Sequence, residues 1–463
     1  MSEEPEPLDL SHPIHIHVVG AGGAGMSAIA TVLSAMGHTV TGSDLKASPI
    51  IDRLELSGID VVVGHTAANV GDADVVTVST AIGDGNPEVV EAGRRGIPVY
   101  RRSAVLAAIA ELRRCIAVAG THGKTTTASM LALILVEAGF RPSFLIGGDV
   151  NEIGTNAVWD EGDWLVVEAD ESDGTFLSLR PDVAVVTNIE PDHLDHYGSF
   201  EAVRSAFGAF LQSGRHRVVG GDDPEALSWA RAHWADTVGV GDNCSHRLTD
   251  VVLSRSSVAF DLSANDLDLG RLDLPVPGLH NARNAAVAAV AALAAGVTFD
   301  DAARALARFA GVARRFEFRG DAAGVTFVDD YAHLPTEVAA ALAAARDGGW
   351  RRIVAVFQPH RYGRTAALSS EFGRAFADAD VVVVTDVYGA GEAPIPGVSG
   401  KLVADAVRRA EPDKPVVYVP SRTELRARVA ALLSDGDLCC TLGAGDLTSL
   451  PDELLADPSW RSV

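Results

Sequence analysis

Short apolar runs alternate with stretches of helical apolar spacing from residue 14 to about residue 110. Five strands are predicted here, at residues 15–19, 39–42, 61–63, 75–78 and 98–100. A helix is predicted over residues 26–36, between the first two strands. Strands that alternate with helices in this way form parallel sheets covered on both faces, so this segment predicts a doubly wound α/β domain.

The same alternation continues to the end of the chain. Strands are predicted at 115–119, 164–167 and 183–186, then at 325–328, 353–357, 381–385, 415–419 and 438–442, and a buried helix at 285–295. We therefore predict an α/β protein of three domains: an N-terminal Rossmann-like domain at 1–110, a central P-loop ATPase-type domain at 111–312 and a C-terminal Rossmann-like domain at 313–463. Residues 311–315 are the predicted hinge before the third domain.

The composition excludes some classes of binding partner and cellular setting. A formal net charge of −24 argues against a general nucleic-acid binder, which needs a basic face. The four cysteines show no metal-ligand spacing, the acidic N-terminus does not resemble a signal peptide, and no apolar run approaches the roughly 18 residues of a membrane helix. We expect a cytoplasmic protein with no membrane insertion, either a monomer or a homodimer.

A phosphate-binding loop is predicted at GTHGKTTT, residues 120–127, between an apolar strand and an apolar helix. Backbone N–H groups at such a helix start hold phosphate, and the lysine reaches the terminal phosphates. Lys124 is one of only four lysines among 38 basic residues. The usual loop has another glycine where this chain has Val118, so the loop is a short variant of the ATP-binding type.

Acidic clusters follow two of the predicted central strands. EADESD occupies residues 168–173, and NIEPDH occupies residues 188–193. Ligands of an open parallel sheet bind at the carboxyl ends of its strands, so both clusters are expected to face the phosphate loop. Carboxylates beside nucleotide phosphates are typical ligands of Mg²⁺, which is the predicted metal.

The first domain carries GAGGAG at residues 20–25, and Asp44 lies 19 residues after Gly25. This spacing fits a dinucleotide fingerprint, in which the acid binds a ribose. The glycine pattern alone leaves NAD and other nucleotide ligands open. Polar clusters also end two strands of the third domain, at residues 329–333 and 358–364, and they predict a further wall of a site.

Eight blocks in order resemble the Mur ligases, which build the peptide stem of bacterial peptidoglycan precursors. They are GAGGAGMS (20–27), GTHGKTTT (120–127), EADESDGTF (168–176), NIEPDHLD (188–195), PGLHNARN (277–284), DDYAHLPTE (329–337), FQPHRYGRT (357–365) and GAGEAPIP (389–396). The resemblance covers residues 14 to 450. It implies an ATP-dependent ligase that uses Mg²⁺ and forms an amide through an acyl phosphate.

The resemblance also implies a ligand for each domain, with UDP-N-acetylmuramate rather than NAD in the first. The UDP-sugar residues would be Gly20, Gly22, Gly23, Gly25, Met26, Ser27, Asp44, Ser79 and Thr80. The ATP residues would be Gly120, Thr121, His122, Gly123, Lys124, Thr125, Thr126, His280, Asn281, Asn284, Arg315 and Asp330. Lys124, His193 and Arg315 would be catalytic, and Thr125, Glu168 and His193 would bind magnesium.

The third domain would bind the amino acid through Tyr331, His333, Arg361 and Arg364. Several relatives carry a carbamylated lysine at the position that aligns with Phe207, and the branch that adds L-alanine lacks it. Phe207 therefore favours the alanine-adding branch. The alternative within the family is the recycling ligase that adds a tripeptide to the same UDP-sugar.

Overall fold

The computed structural model describes residues 6–265 and 267–456, apart from the side chain of Asp195. The ends of the predicted first and third domains, residues 1–5 and 457–463, lie outside this description. The chain forms two compact units. One contains the chain up to residue 249 with residues 261–272 and 283–309, and the other contains residues 250–260, 273–282 and everything from 310 onward.

The first sheet is five-stranded and parallel, in the order β3-β2-β1-β4-β5. Its strands are β1 His15–Val19, β2 Thr39–Asp44, β3 Asp60–Val63, β4 Val75–Val78 and β5 Val99–Arg101. Its helices are α1 Ala24–Ala35, α2 Pro49–Leu56, α3 Pro87–Arg95 and α4 Arg102–Glu111. The order reverses on either side of β1, and β1 leads directly into the glycine loop.

The second sheet has ten strands, in the order β15-β14-β13-β12-β11-β10-β6-β9-β7-β8. They are β6 Arg114–Ala119, β7 Ser143–Val150, β8 Thr155–Val158, β9 Trp164–Glu168, β10 Val183–Val186, β11 His216–Gly220, β12 Asp236–Gly239, β13 His246–Leu253, β14 Val258–Ala264 and β15 Leu267–Leu274. The helices are α5 Lys124–Glu137, α6 Leu194–Tyr197, α7 Phe200–Ser213, α8 Pro224–His233, α9 Leu279–Ala294 and α10 Phe299–Leu306. Strands β6, β9 and β10 are parallel neighbours, so their carboxyl ends meet at one edge.

The third sheet lies in the second unit, with the order β16-β17-β21-β18-β19-β20. Its strands are β16 Glu317–Ala322, β17 Val325–Asp330, β18 Arg352–Phe357, β19 Val381–Val384, β20 Val416–Tyr418 and β21 Asp437–Leu442. Its helices are α11 Pro335–Asp347, α12 Tyr362–Leu368, α13 Phe372–Ala375, α14 Lys401–Ala410, α15 Arg422–Ala430 and α16 Leu450–Ala456. Only β16 runs antiparallel to its neighbour.

Continuous apolar runs form the buried central strands, as expected for parallel sheets covered on both faces. The valines of β10 and β19 are fully or almost fully buried, and the cysteines of β21 are buried as predicted. The α/β class with three parallel or mostly parallel sheets is confirmed. No helix of the described residues has the length and apolarity that crossing a membrane requires.

A buried carboxylate ties together the first sheet. Glu88 is fully buried at the start of α3 and accepts hydrogen bonds from Ser43 Oγ at 2.6 Å and Asn69 Nδ2 at 2.5 Å. Burial alone would raise the pKa of Glu88, but the neighbouring His17 ring and these two hydrogen bonds outweigh it and lower the pKa to about 2. The ionised carboxylate is therefore a stabilising part of the folded domain.

Glu88→Gln is expected to lower the free energy of unfolding at pH 7 by about 3 kcal/mol, because the folded protein holds the pKa of Glu88 at about 2, below its ordinary value. Because the folded pKa lies below the unfolded one, this stability is present above about pH 4.5 and is lost as the pH falls toward 2. Urea unfolding at pH 7 and at pH 3 measures the difference. Glu91→Gln, on the same helix, is the control, and equal losses for the two variants would contradict the role of Glu88.

Candidate active site

The phosphate loop joins β6 to α5, as predicted. Gly120 and Gly123 have φ angles of +137° and +77°, which side chains disfavour. A Cβ atom at Gly120 would lie 2.0 Å from Thr187 Oγ1, so this position also lacks space. Asn188 fixes the tip of the loop, because its side chain accepts from His122 N at 2.8 Å and donates to His122 O at 3.0 Å.

The ammonium of Lys124 lies within the loop and bonds to a buried acid. Its Nζ donates to Gly120 O at 2.6 Å and to Glu171 Oε1 at 2.8 Å. Burial opposes the charge on Lys124, but Glu171 outweighs it and raises the lysine's pKa, so the lysine stays charged. Burial raises the pKa of Glu171 to about 7, against the pull of Lys124. Among the described residues, Glu171 Oε2 is buried without a hydrogen-bond partner.

Thr125 and Glu168 provide neighbouring oxygen ligands at the loop. Thr125 Oγ1 donates to Glu168 Oε1 at 2.9 Å, and Gly147 N donates to Glu168 Oε2 at 2.6 Å. The described residues include no cluster of three or more His, Cys, Asp or Glu side chains that could hold a metal. A hydroxyl beside one carboxylate nevertheless fits Mg²⁺, which takes one or two protein oxygens and completes its shell with phosphate and water.

His193 stands at the same edge of the sheet, just before α6. Its Nε2 lies 3.3 Å from Asp192 Oδ2 and 3.8 Å from Glu171 Oε1, the oxygen that also bonds to Lys124. The backbone of His193 has φ +53°, a left-handed conformation that few residues other than glycine adopt. A held, unfavourable conformation beside a cluster of charges is typical of functional positions.

The glycine loop of the first domain is held by β2. Gly20 N and Ala21 N both donate to Ser43 O, at 2.8 and 3.0 Å, and Gly22 N donates to Asp44 Oδ2 at 2.9 Å. Asp44 therefore contacts the loop that it was predicted to complement. A Cβ atom at Gly22 would lie 2.9 Å from Asp44 Oδ2, and one at Gly25 would lie 2.7 Å from Arg102 Nη1. These glycines make room for a carboxylate and a guanidinium.

The other predicted UDP-sugar residues differ in what they can offer. Met26 and Ser27 are buried in α1. Ser27 Oγ donates to Ala24 O and Ser27 N donates to Gly23 O, so of these two residues only the backbone N–H of Met26 could face a ligand. Ser79 lies against the glycine loop, with its Cβ 3.1 Å from the Cβ position of Gly20. Thr80 is exposed. These assignments remain predictions.

A cavity of about 290 Å³ connects the glycine-loop helix with the phosphate loop. Its charged lining is Arg102, Lys124, Glu168 and Asp170, and its apolar lining includes Ile29, Leu106, Leu145 and Val167. Sequence reasoning did not select Arg102, although it follows β5 directly and the ends of parallel strands carry ligand residues. The first unit thus brings the two loops to one cavity.

In the first unit, Asn284 lies against the phosphate loop, because a Cβ atom at Gly123 would lie 2.5 Å from Asn284 Oδ1. His280 and Asn281 belong to the second unit. There, Asn281 Nδ2 donates to Pro277 O at 2.7 Å, and His280 Cε1 lies 2.6 Å from the Cβ position of Gly278. The three residues of the block PGLHNARN that were predicted to bind ATP are therefore divided between the two units.

Asp330, the predicted ribose ligand, is already engaged within the second unit. It is buried, and its two oxygens accept from Phe316 N at 2.8 Å and Ala332 N at 2.7 Å. Burial raises the pKa of Asp330 to about 6, against the pull of Arg315. The carboxylate fixes the turn that carries Tyr331, and the guanidinium carbon of Arg315 lies 5.1 Å from the centre of the Tyr331 ring.

The predicted amino-acid residues cluster in the second unit. The His333 ring lies 5.4 Å from that of Tyr331 and 5.7 Å from that of His360. Arg364 Nη1 lies 3.2 Å from His360 Nδ1. Arg361 has φ +68° and donates its backbone N–H to Tyr388 O. His360 and Tyr388, whose rings stack at 5.9 Å, were not selected from the sequence, although His360 lies within a selected block.

Three family models match the chain in order: the Mur ligase family catalytic domain at residues 15–114, the Mur ligase middle domain at 118–292, and the Mur ligase glutamate ligase domain at 314–445. The chain belongs to the Mur ligase family. This assignment covers most of the chain and agrees with the resemblance of its eight sequence blocks.

Individual Mur ligases are similar over nearly the whole chain. UDP-N-acetylmuramate–L-alanine ligases of Rubrobacter xylanophilus and Agrobacterium fabrum are 47% and 44% identical, with 95% of this chain covered in both and 99% and 96% of the relatives. The crystal structure of UDP-N-acetylmuramate–alanine ligase from Thermotoga maritima has a TM-score of 0.81 at 30% identity, covering 96% of this chain and 98% of that one. A murein peptide ligase from Psychrobacter arcticus has a TM-score of 0.69 at 27% identity, covering 97% and 99%.

In this Mur ligase, Phe207 is a core residue of α7. It is 1% exposed, and its ring lies 5.3 Å from that of Phe176 in an edge-on arrangement. Phe176 ends the EADESDGTF block, so the residue at the aligned lysine position packs beneath the acidic cluster. A carbamylated lysine has no counterpart at this position.

Proposed function

We propose that this Mur ligase joins L-alanine to the lactyl carboxylate of UDP-N-acetylmuramate and converts ATP to ADP and phosphate in doing so. The observation that carries the proposal is the cavity that brings the glycine-loop helix to Lys124 and Glu168. A ligase of this kind needs an acid substrate and a nucleoside triphosphate side by side. The similar ligases named above support L-alanine as the third substrate and the cytoplasmic stage of peptidoglycan precursor synthesis as the setting.

A carboxylate is a poor electrophile, so the first step activates it. A lactyl oxygen attacks the γ-phosphorus of ATP, the bond from that phosphorus to the β,γ-bridging oxygen breaks, and ADP leaves. Lys124 is assigned to the β- and γ-phosphates, which would replace its bond to Glu171. The backbone of residues 120–126 cradles the phosphates, as a helix start does. Arg315 is assigned to the γ-phosphate and Asp330, His280, Asn281 and Asn284 to the nucleoside side.

Thr125 and Glu168 would hold one Mg²⁺ and His193 a second. Magnesium, when bound, supplies positive charge that offsets the repulsion between phosphate and carboxylate. Histidine is an uncommon ligand for this ion, and its placement 3.8 Å from Glu171 is what supports its assignment.

The second step forms the amide. The amine of L-alanine attacks the carbonyl carbon of the acyl phosphate, a tetrahedral intermediate forms, and the carbon–oxygen bond to phosphate breaks while the nitrogen loses a proton to solvent. Tyr331, His333, Arg361 and Arg364 are assigned to L-alanine, with an arginine for its carboxylate. Gly20, Gly22, Gly23, Gly25, Met26, Ser27, Asp44, Ser79 and Thr80 are assigned to the UDP-sugar.

Phosphate release from ATP and Mg²⁺ tests the proposal. The purified enzyme is given UDP-N-acetylmuramate with each of the twenty amino acids, and separately with L-Ala-D-Glu-meso-diaminopimelate. We expect release only when the sugar and L-alanine are both present. Release with the tripeptide and not with L-alanine would move the enzyme to the recycling ligases, and release with neither partner would contradict ligation.

A further inference from the structure

Arg102 lies where the glycine-loop helix meets the acidic cluster of the central sheet. Its Nη2 donates to Asp170 Oδ2 at 3.0 Å and to Asp173 Oδ2 at 2.9 Å, so two carboxylates share one nitrogen. Its side chain is 18% exposed. The pairing keeps the guanidinium charged, because the two carboxylates outweigh the burial that opposes the charge and raise its pKa.

Most of the donors of this guanidinium are not used by those carboxylates. A guanidinium has five N–H donors, and only those of Nη2 are engaged with Asp170 and Asp173. Among the described residues, Nε is buried without a hydrogen-bond partner. Nη1 lies 2.7 Å from the Cβ position of Gly25, above the first turn of α1. The donors of Nη1 therefore lie beside the start of that helix.

The start of α1 also offers unpaired donors. It is a helix of 12 residues with no acidic residue in its first turn and no side-chain cap on its N-cap residue, Gly23. The first backbone N–H groups of a helix have no partner within it and attract anions. Arg102 thus adds a fixed positive charge to an uncapped helix start.

The charged residues that line the cavity limit which groups could hold an anion there. Glu168 and Asp170 line it, and its positively charged lining residues are Arg102 and Lys124. Lys124 is bonded to two loop carbonyls and Glu171 and is assigned to ATP. In a chain of net charge −24, an anion at the first-domain end of this cavity needs its own cation.

We propose that Arg102 binds the diphosphate of the UDP-sugar through Nη1, beside the first turn of α1. This inference rests on the proposed function, because it takes a UDP-sugar as the ligand. Gly25 is then required because its missing side chain lets the guanidinium approach the helix. The bonds to Asp170 and Asp173 position the guanidinium from the central domain, so residues of that domain fix the arginine that holds the diphosphate.

The test compares ligands that differ in whether they carry the diphosphate, the sugar and the lactyl carboxylate. Dissociation constants for uridine, UDP, UDP-N-acetylglucosamine and UDP-N-acetylmuramate are measured by calorimetry with the unaltered enzyme and with Arg102→Ala. We expect Arg102→Ala to weaken the binding of all three diphosphates by about tenfold or more, which is the usual effect of losing a charge-assisted bond. The dissociation constant for uridine should be unchanged. Arg101→Ala removes the adjacent exposed arginine, which pairs with Asp84, and should change none of the four.

Several outcomes would overturn the assignment. Equal losses for uridine and UDP would indicate a structural role for Arg102. A loss confined to UDP-N-acetylmuramate would mean that the arginine binds the lactyl carboxylate instead. Arg102→Lys keeps the charge opposite both aspartates and replaces the alanine variant if that variant does not fold. It should weaken UDP binding several-fold. An unchanged dissociation constant for UDP would contradict the proposal. If the unaltered enzyme bound no UDP-sugar, the proposed function would fail as well.

Discussion

Lys124→Ala is expected to lower the rate of amide formation by about 10³-fold or more, the range for a cation that acts on a transferring phosphoryl group. The ammonium lies at the helix start between loop carbonyls and Glu171, where γ-phosphate charge would be bound. The affinity for UDP-N-acetylmuramate should be largely retained, because the diphosphate is assigned to the other loop. Steady-state rates and calorimetric binding measure the two quantities separately.

Two further variants make this result specific. Lys401→Ala removes an exposed lysine that pairs with Asp405 in α14 and should leave rate and affinity unchanged. Lys124→Arg keeps the charge but replaces a compact ammonium with a planar fork, so it should remain strongly impaired. Equal loss of turnover and UDP-sugar affinity in Lys124→Ala would contradict the assignment of the ligands to separate loops.

His193→Ala is expected to lower kcat by about 10²-fold or more, which is typical of removing one preorganised electrostatic group. The ring lies beside Glu171 and Asp192, and the backbone of His193 is left-handed. KM for the UDP-sugar should change little. Steady-state kinetics with saturating ATP and L-alanine measure this separation.

Backbone strain could confuse that result, since alanine disfavours φ +53°. Asparagine tolerates this conformation, so His193→Asn removes the imidazole while keeping the turn. It should lose as much kcat as the alanine variant. His196→Ala, in the adjacent α6, is the matched control and should retain kcat. A fully active His193→Asn enzyme would remove the catalytic role.

Continuous burial made several strands predictable from the sequence, although β7 was missed despite the burial of residues 143–146. The strands β6, β10, β18 and β19 are continuous apolar runs, because both faces of a parallel sheet are covered. Strands β13 and β15 were not predicted, since exposed and buried positions are mixed along them and charged residues interrupt the pattern. The antiparallel strand β8 is only four residues long and carries little pattern of its own.

The candidate site was predictable where it follows strand ends. Lys124, Glu168 and His193 follow β6, β9 and β10, and parallel pairing of these strands brings the residues to one edge. The contacts of Arg102 were not predictable, since its carboxylate partners lie 68 and 71 residues away and belong to another sheet. The sequence pattern also cannot show that both carboxylate oxygens of Asp330 accept hydrogen bonds from backbone N–H groups.

The most direct test of the account follows one oxygen atom. UDP-N-acetylmuramate with ¹⁸O in its lactyl carboxylate is converted with ATP and L-alanine, and the released phosphate is analysed by mass spectrometry. If the carboxylate attacks the γ-phosphorus, one labelled oxygen must leave with each phosphate when the amide forms. We predict one ¹⁸O per phosphate released from doubly labelled substrate. Unlabelled phosphate, with amide formed at the same rate, would contradict activation of the carboxylate as an acyl phosphate.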